Sequence, residues 1–325
     1  MRVAIVGCGL IGRKRAAALA GCRLVACADL LPERADALAR MVPGSEPMAA
    51  WRAVVERHDV DIVVVSTTHD SLADITLAAV ASGKHVLVEK PAARSSAELD
   101  PVIEAAERSS VLVRVGFNHR YHPALRKAKE LSDAGLLGGL MYLRGRYGHG
   151  GRLGYEAEWR ADPGRSGGGE LIDQGVHLID LARWFLGDFA DVQGFAHTYY
   201  WETPVEDNAF LLLKTIKQQV ALLHVSWTEW KNLFSLEIFG HRGKLEITGL
   251  GGSYGVERLA HYGMLPQMGP PETTVWDYPA VDTSWEAEFA EFVDDIGRGR
   301  QPAAGLDDAK AALQIVERIY EVSAR

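Results

Sequence analysis

The sequence predicts a two-part α/β chain: a parallel-sheet half built from βαβ units, then an α+β half whose sheet is mainly antiparallel. Three observations carry that prediction. The chain has 325 residues, enough at about 150 per domain for two hydrophobic cores. Up to Gly116, short apolar runs alternate with helical stretches, the pattern of strands joined by crossover helices in a parallel sheet. Beyond Pro123 the apolar runs become longer, β-rich and joined by short turns, as in an antiparallel meander.

Residues 3–6 are an apolar run ended by Gly7, and residues 10–20, rich in Ala and Leu, read as the first helix. Strand and helix repeat at 24–28 and 32–41, and again at 62–65 and 72–81. Strands at 85–88 and 111–115 enclose a helix at 95–108. The segment from Gly116 to Pro123 is the expected boundary, which gives domains of residues 1–120 and 121–325. The second opens with a helix at 124–134 and a strand at 140–147, passes through a Gly-rich loop and continues in a helix from about 169 to 185. β-rich runs follow at 192–200, 208–215, 219–227, 234–239 and 244–247, before closing helices at 284–297 and 304–323. The absence of any repeat of about 20 to 50 residues excludes a solenoid or propeller.

Hydrophobic residues make up 47% and charged residues 24%, a globular balance that excludes a disordered or fibrous chain. Lys and Arg number 35 against 43 Asp and Glu, a net charge of -8, so a phosphate backbone is repelled and no nucleic acid is expected as partner. The surplus acid lies late: 15 basic and 14 acidic residues through Arg120, 20 and 29 after it. Much of it falls in 285–325, where Glu286, Glu288, Glu291, Asp294, Asp295, Asp307 and Asp308 recur at helical spacing, as on a solvated helix face. Cys8, Cys22 and Cys27 lack paired spacing and a nearby His cluster, which points to reduced, buried thiols. The opening apolar run of about six residues is too short for a signal segment or a membrane span, so a cytoplasmic protein with no membrane partner is expected.

Gly7-Cys8-Gly9-Leu10-Ile11-Gly12 matches GxGxxG between the first strand and the first helix, where that motif binds a dinucleotide. Gly7 permits the tight turn, Gly9 lets backbone approach a pyrophosphate, Gly12 lets helix and strand pack, and the helix N-terminus faces the phosphates. Asp29 closes the second strand seventeen positions after Gly12. A carboxylate there accepts hydrogen bonds from ribose hydroxyls and repels a 2′-phosphate, which favours NAD over NADP. Arg13, Lys14, Arg15 and Arg34 lie nearby; they either solvate the helices or offset Asp29.

Glu89-Lys90-Pro91 ends the fourth strand at the carboxyl edge of the sheet, where ligands bind in open α/β folds. A Lys at that edge donates a hydrogen bond or proton to a substrate oxygen, or else snorkels from a turn. Gly167-Gly168-Gly169 leads into a predicted helix that carries Asp173, His177 and Asp180, all able to share one face. A carboxylate beside an imidazole fixes its tautomer and prepares a general base, unless the two form a surface ion pair. Seven histidines between His58 and His177 include no HExxH, so no metal is expected. Trp201, Trp227 and Trp230 with Tyr199 and Tyr200 pack the sheet face or line a polar-ligand pocket. No GxSxG elbow or P-loop supports a hydrolase or kinase.

Four motifs in order, GCGLIG, GKHVLVEKP, GFNHRYHP and GGGELIDQGVHLID, resemble the glucose-fructose oxidoreductase, inositol dehydrogenase and rhizopine-catabolism (Gfo/Idh/MocA) family along nearly the whole chain. The resemblance implies an N-terminal Rossmann dinucleotide-binding domain, then an α+β domain with a large open, mainly antiparallel sheet, and a sugar, cyclitol or nucleotide-sugar substrate bound between them. It implies catalytic roles for Lys90, Asp173 and His177. Cofactor contacts are implied from Gly7, Gly9, Leu10, Ile11 and Gly12, from Asp29, Thr67, Glu89 and Lys90, and from Asn118 and the pair Trp159 and Arg160. Beside Lys90, Asp173 and His177, the residues expected to read substrate are Tyr121, Tyr147, His149 and Tyr155. The chain departs from the family after the third strand: Ser66-Thr67-Thr68-His69 with Leu72 replaces Ala-Thr-Pro-Asn with a His three residues later, in a loop beside the cofactor.

The expected activity is therefore NAD-dependent interconversion of a secondary hydroxyl and a ketone by hydride transfer. Its rivals are a non-catalytic dinucleotide sensor, which has no use for an acid-base set, a dehydrogenase of imines, and a dehydratase that uses NAD transiently. Strands from 192 to 247 carry apolar residues on both faces, which predicts a homodimer or homotetramer built on that sheet.

Overall fold

The computed structural model describes residues 1–267 and 269–324. In its first half the order is β1 (Arg2–Val6), α1 (Leu10–Ala17), β2 (Arg23–Ala28), α2 (Pro32–Met41), β3 (Glu46–Met48), α3 (Trp51–Val55), β4 (Ile62–Val65), α4 (His69–Ala81), β5 (His85–Glu89), α5 (Asp100–Glu107) and β6 (Val113–Gly116). The second half follows with α6 (Pro123–Asp133), β7 (Leu140–Gly148), α7 (Pro163–Ser166), α8 (Val176–Leu186), β8 (Phe189–His197), β9 (Asn208–Thr215), β10 (Val220–Ser226), β11 (Leu233–Gly240), β12 (Gly243–Thr248), β13 (Glu257–Gly263), β14 (Glu272–Tyr278), α9 (Ser284–Arg298) and α10 (Leu306–Ser323).

The chain forms two compact units, one of Met1–Phe117, Gly164–Gly167 and Trp285–Leu313, the other of Asn118–Pro163, Gly168–Ser284 and Gln314–Arg325. The first unit carries a sheet in the order β3-β2-β1-β4-β5-β6, parallel throughout. Its strands are continuous apolar runs because both faces are covered: Val3, Ile5, Leu24, Ile62, Val64 and Leu87 are buried with Phe289 and Phe292 of α9 in one core. That packing is why residues 285–313 leave the chain-order division at 121 and belong with the first sheet. For two of their acid residues it also corrects the reading as solvated, while Glu286 and Asp307 are exposed as expected. Glu288 and Asp295 are 0% and 1% exposed, and each meets a buried arginine, Arg15 at 2.5 Å and Arg114 at 2.5 Å.

In the second unit the sheet order is β14-β13-β12-β11-β7-β10-β9-β8. Every pairing is antiparallel except β7 with β10. Alternation sends Leu211, Leu213, Ala221, Leu223, Val225, Leu236 and Ile238 to the buried face, and the Leu178 side chain of α8 reaches Gly145 at the middle of β7. The opposite face leaves Tyr142, Phe210, Leu212 and Leu222 between 38% and 50% exposed. Residues 192–200 do not form one strand: β8 ends at His197, because the next amides bind a side chain. The short β3 and α3 and the strands β13 and β14 lie where no strand or helix is predicted, in stretches mixed in polarity or interrupted by Gly and Pro. Among the described residues no helix is long and apolar enough to cross a membrane.

Candidate active site

The dinucleotide turn occupies the position its sequence requires. β1 lies between β2 and β4, so the strand order reverses beside it, where doubly wound sheets bind their ligands. Gly7 has φ +96°, and a Cβ on it would lie 2.4 Å from the Ser66 carbonyl oxygen; one on Gly12 would lie 1.9 Å from that of Gly7. Nothing stands within 4 Å of the corresponding position on Gly9, which leaves open space at the N-terminus of α1 for an approaching phosphate. Leu10 and Ile11 begin that helix. Asp29 stands just past β2, fixed by the Cys8 N–H donating at 2.7 Å and the Leu31 N–H at 2.9 Å. A carboxylate with about four lone-pair sites keeps acceptor capacity for ribose hydroxyls. Beyond β4, the Thr67 hydroxyl accepts from Ser71 at 2.9 Å and donates to the Thr68 carbonyl. The departing residue His69 is buried, its Nδ1 2.8 Å from the Ser166 carbonyl.

One expectation at this edge changes. Arg15 is no solvated helix residue: it is 1% exposed, under the Trp285 ring at 4.4 Å. The Glu89 carboxylate, expected among the cofactor contacts, accepts from Arg15 Nε at 2.6 Å. A buried guanidinium requires such counter-charges, and Glu288 supplies the second at 2.5 Å. Lys90, half-buried, follows the end of β5 and precedes Pro91 through a cis peptide.

The second unit assembles a polar cluster around the start of α8. The sequence predicts one continuous α-helix here, but Leu171–Gly175 is a π turn that continues into α8, and it presents its side chains at a different angle from α-helical spacing. Asp173 and His177 are both buried, at 4% and 3% exposure. Asp173 accepts from Arg160 Nε at 2.8 Å, and that guanidinium lies over the Trp159 ring at 4.6 Å. Asp180, read as a third member of the same face, instead accepts from Arg120 Nε at 2.8 Å and Nη2 at 2.5 Å. His177 stacks on His119 with ring centroids 3.7 Å apart. Tyr147 stands edge-on to His119 at 5.2 Å and 6.4 Å from His177.

Burial, with a hydrogen bond to Tyr254 and the charges of Glu170 and Asp173, pushes the Tyr147 phenol well above its ordinary value, so it stays protonated and able to donate. Burial likewise raises Tyr254, to about 12. His149 is held below the usual imidazole range by burial; its Nδ1 accepts the Gly151 N–H at 3.0 Å and its ring lies 5.8 Å from Tyr155. Tyr121 and Asn118 lie on a buried 3₁₀ turn, with Arg126 over the Tyr121 ring at 5.3 Å and the Asn118 amide donating to Ser284 Oγ at 3.0 Å.

Within this unit Tyr147, His149, Tyr155, Arg160 and Asp173 therefore share one electrostatic neighbourhood with His177. Gly7, Gly9, Gly12, Asp29 and Lys90 define the edge of the other. Sequence reasoning missed His119, Glu170 and Tyr254. For His119 a signal existed, since the segment from Asn118 to Pro123 holds two histidines and an arginine in six residues.

The family pattern described as "Oxidoreductase family, NAD-binding Rossmann fold" matches residues 1–117, and the GFO/IDH/MocA C-terminal domain matches residues 125–246. The chain is 27% identical to a levoglucosan dehydrogenase of Pseudarthrobacter phenanthrenivorans over 67% of its own length and 59% of that protein's. It is 26% identical to scyllo-inositol 2-dehydrogenase (NAD(+)) of Bacillus subtilis over 97% and 92%. A solved levoglucosan dehydrogenase in complex with NADH and levoglucosan shares the fold at a TM-score of 0.90, with 23% identity, 100% of this chain and 97% of that one covered.

Proposed function

Since the chain belongs to the Gfo/Idh/MocA oxidoreductase family, whose first domain is an NAD-binding Rossmann fold, we propose that it is an NAD-dependent dehydrogenase that interconverts a secondary hydroxyl and a ketone on a sugar, cyclitol or nucleotide-sugar. The observation that carries this reading is the buried set of His177, Asp173 and Tyr147, an acid-base arrangement that a dinucleotide sensor does not need. The residues present fit the cofactor: the space over Gly9 admits a pyrophosphate and Asp29 can accept from ribose hydroxyls. NAD, when bound, supplies the hydride acceptor.

The chain's own groups would manage the proton and the charge. His177 takes the hydroxyl proton, and the neighbouring Asp173 carboxylate, held by Arg160, favours the imidazolium that results. Lys90 hydrogen-bonds the reacting oxygen and stabilises negative charge building there. Tyr147, kept protonated, donates to Tyr254 and has lone pairs to accept from a substrate hydroxyl. His149 and Tyr155 read hydroxyls further out. NAD is preferred to NADP because Asp29 repels a 2′-phosphate and Arg15 is committed to Glu89 and Glu288. The half-exposed apolar face of the second sheet supports a homodimer or homotetramer that covers it.

The test is a panel of inositols, anhydrosugars, aldoses, glycosides and nucleotide-sugars with NAD, followed at the reduced-nicotinamide absorbance band. NADH formation with at least one polyol is expected. NAD binding without turnover across the panel would contradict the reading and favour the sensor.

A further inference from the structure

Large aromatic side chains ordinarily bury about 150–250 Å² each, yet Tyr199, Tyr200 and Trp230 are 64%, 60% and 63% exposed. The sequence left them to pack the sheet face or line a pocket; of that group, Trp227 is fully buried. Their loop is nonetheless fixed. Asp207, itself buried, accepts the backbone N–H groups of Tyr199 at 2.9 Å, Tyr200 at 2.8 Å and Trp201 at 3.0 Å. Trp201 Nε1 donates to the Trp227 carbonyl at 3.0 Å, and its ring packs on a small core of Tyr155, Val205 and Trp227.

Trp230 arrives from the turn after β10 with φ +57°, a conformation uncommon for a bulky residue. Gly150 makes room for it, since a Cβ there would come within 3.1 Å of the Trp230 Cα. Tyr200 stands edge-on to Trp230 at 4.7 Å and to Trp201 at 5.2 Å. Ring contacts then lead inward from Trp201 to Tyr155 at 6.4 Å and on to His149 at 5.8 Å, two residues that feel the Asp173 charge.

A rigid aromatic shelf continuous with the acid-base cluster suits the C–H face of a pyranose ring. The charged residues next to the shelf in sequence, Glu202, Glu229 and Lys231, sum to a net negative charge, which disfavours the diphosphate of a nucleotide-sugar. Resting on the dehydrogenase reading, we propose that Tyr200 and Trp230 form an outer subsite that stacks a second sugar ring, so that the preferred substrate is a glycoside.

The test compares kcat/KM with NAD for methyl pyranosides against disaccharides of the same sugar in both anomeric linkages, with a UDP-sugar as a further arm. In parallel, tryptophan fluorescence of the NAD-loaded protein is titrated with the same disaccharides. A disaccharide is expected to exceed its methyl pyranoside by about tenfold. That ratio should fall to about one in Tyr200→Ala and Trp230→Ala, and Trp230→Phe should restore part of it. Equal kcat/KM for one and two rings, a ratio unmoved by the variants, or a stronger preference for the UDP-sugar overturns the proposal. So does a change of oligomeric state in the variants without a change in ratio, which would assign the shelf to a subunit contact. Fluorescence quenching without turnover of any sugar keeps the subsite and overturns the dehydrogenase reading instead; no quenching and no turnover overturns the subsite too.

Discussion

In the proposed function Asp29 serves the fold and the cofactor with the same carboxylate. Two of its acceptor sites hold the Cys8 and Leu31 amides, and the remainder are free for ribose hydroxyls. Asp29→Ala is therefore expected to narrow the preference for NAD over NADP by about 1–3 kcal/mol, read by calorimetric titration with both. Equal affinities in the unaltered protein would show that Arg13, Lys14 or Arg34 overrides the charge. Lys90, Asp173 and His177 stand out in the sequence because each sits inside a recognisable string with its own chemical rationale. His119 also sits inside such a string, GFNHRYHP, but its weight comes from a 3.7 Å stack on a residue 58 positions away, which the string does not record. Glu170 and Tyr254, a buried carboxylate and a half-buried phenol, likewise matter through what surrounds them, and no local spacing records that.

At the scale of elements, the loop after β8 depends on Asp207. Burial alone would raise this carboxyl, but the Asn208 side chain and the backbone N–H groups of residues 199–201 outweigh it and hold it below its ordinary 3.8. A depressed folded pKa means stability that is fully present above the unfolded value and lost as pH falls through the lowered one. Asp207→Asn should cost about 1–3 kcal/mol at neutral pH, and denaturant unfolding should show the gap closing only in acid below pH 3.8; a gap constant with pH would contradict the role. Helix α9 makes a second case. Its apolar period is plain in the sequence, but its acid residues read as solvated because nothing local reveals that Arg15 and Arg114 are buried opposite them. Glu288→Ala breaks one such pair and is expected to destabilise the protein by about 3–5 kcal/mol. An unchanged melting temperature would refute this. The π turn at Leu171–Gly175 escaped notice because it carries the same apolar period as the α-helix it enters.

For the whole molecule, the parallel and antiparallel halves were readable from run length and alternation alone, while the return of residues 285–313 to the first sheet depends on tertiary packing of Phe289 and Phe292. The second sheet's outer face, with Tyr142, Phe210, Leu212 and Leu222 half-exposed and a depression of about 400 Å³ lined by Phe210 and Leu222 together with Arg144, Arg146, His224 and Glu237, is expected to be covered by another copy. Light scattering at micromolar concentration that gives only 35.5 kDa would contradict that. In the proposed function Lys90 and His177 both act on the reacting oxygen of the substrate. That shared role is tested most directly by single-turnover NADH formation in His177→Ala and Lys90→Met alongside NAD calorimetry. Turnover is expected to fall by roughly 10² to 10⁴ in each variant with NAD affinity nearly unaltered, and in the unaltered enzyme the rate is expected to fall as acid protonates the imidazole. Near-normal turnover in both variants, or loss of NAD binding in step with turnover, would contradict it.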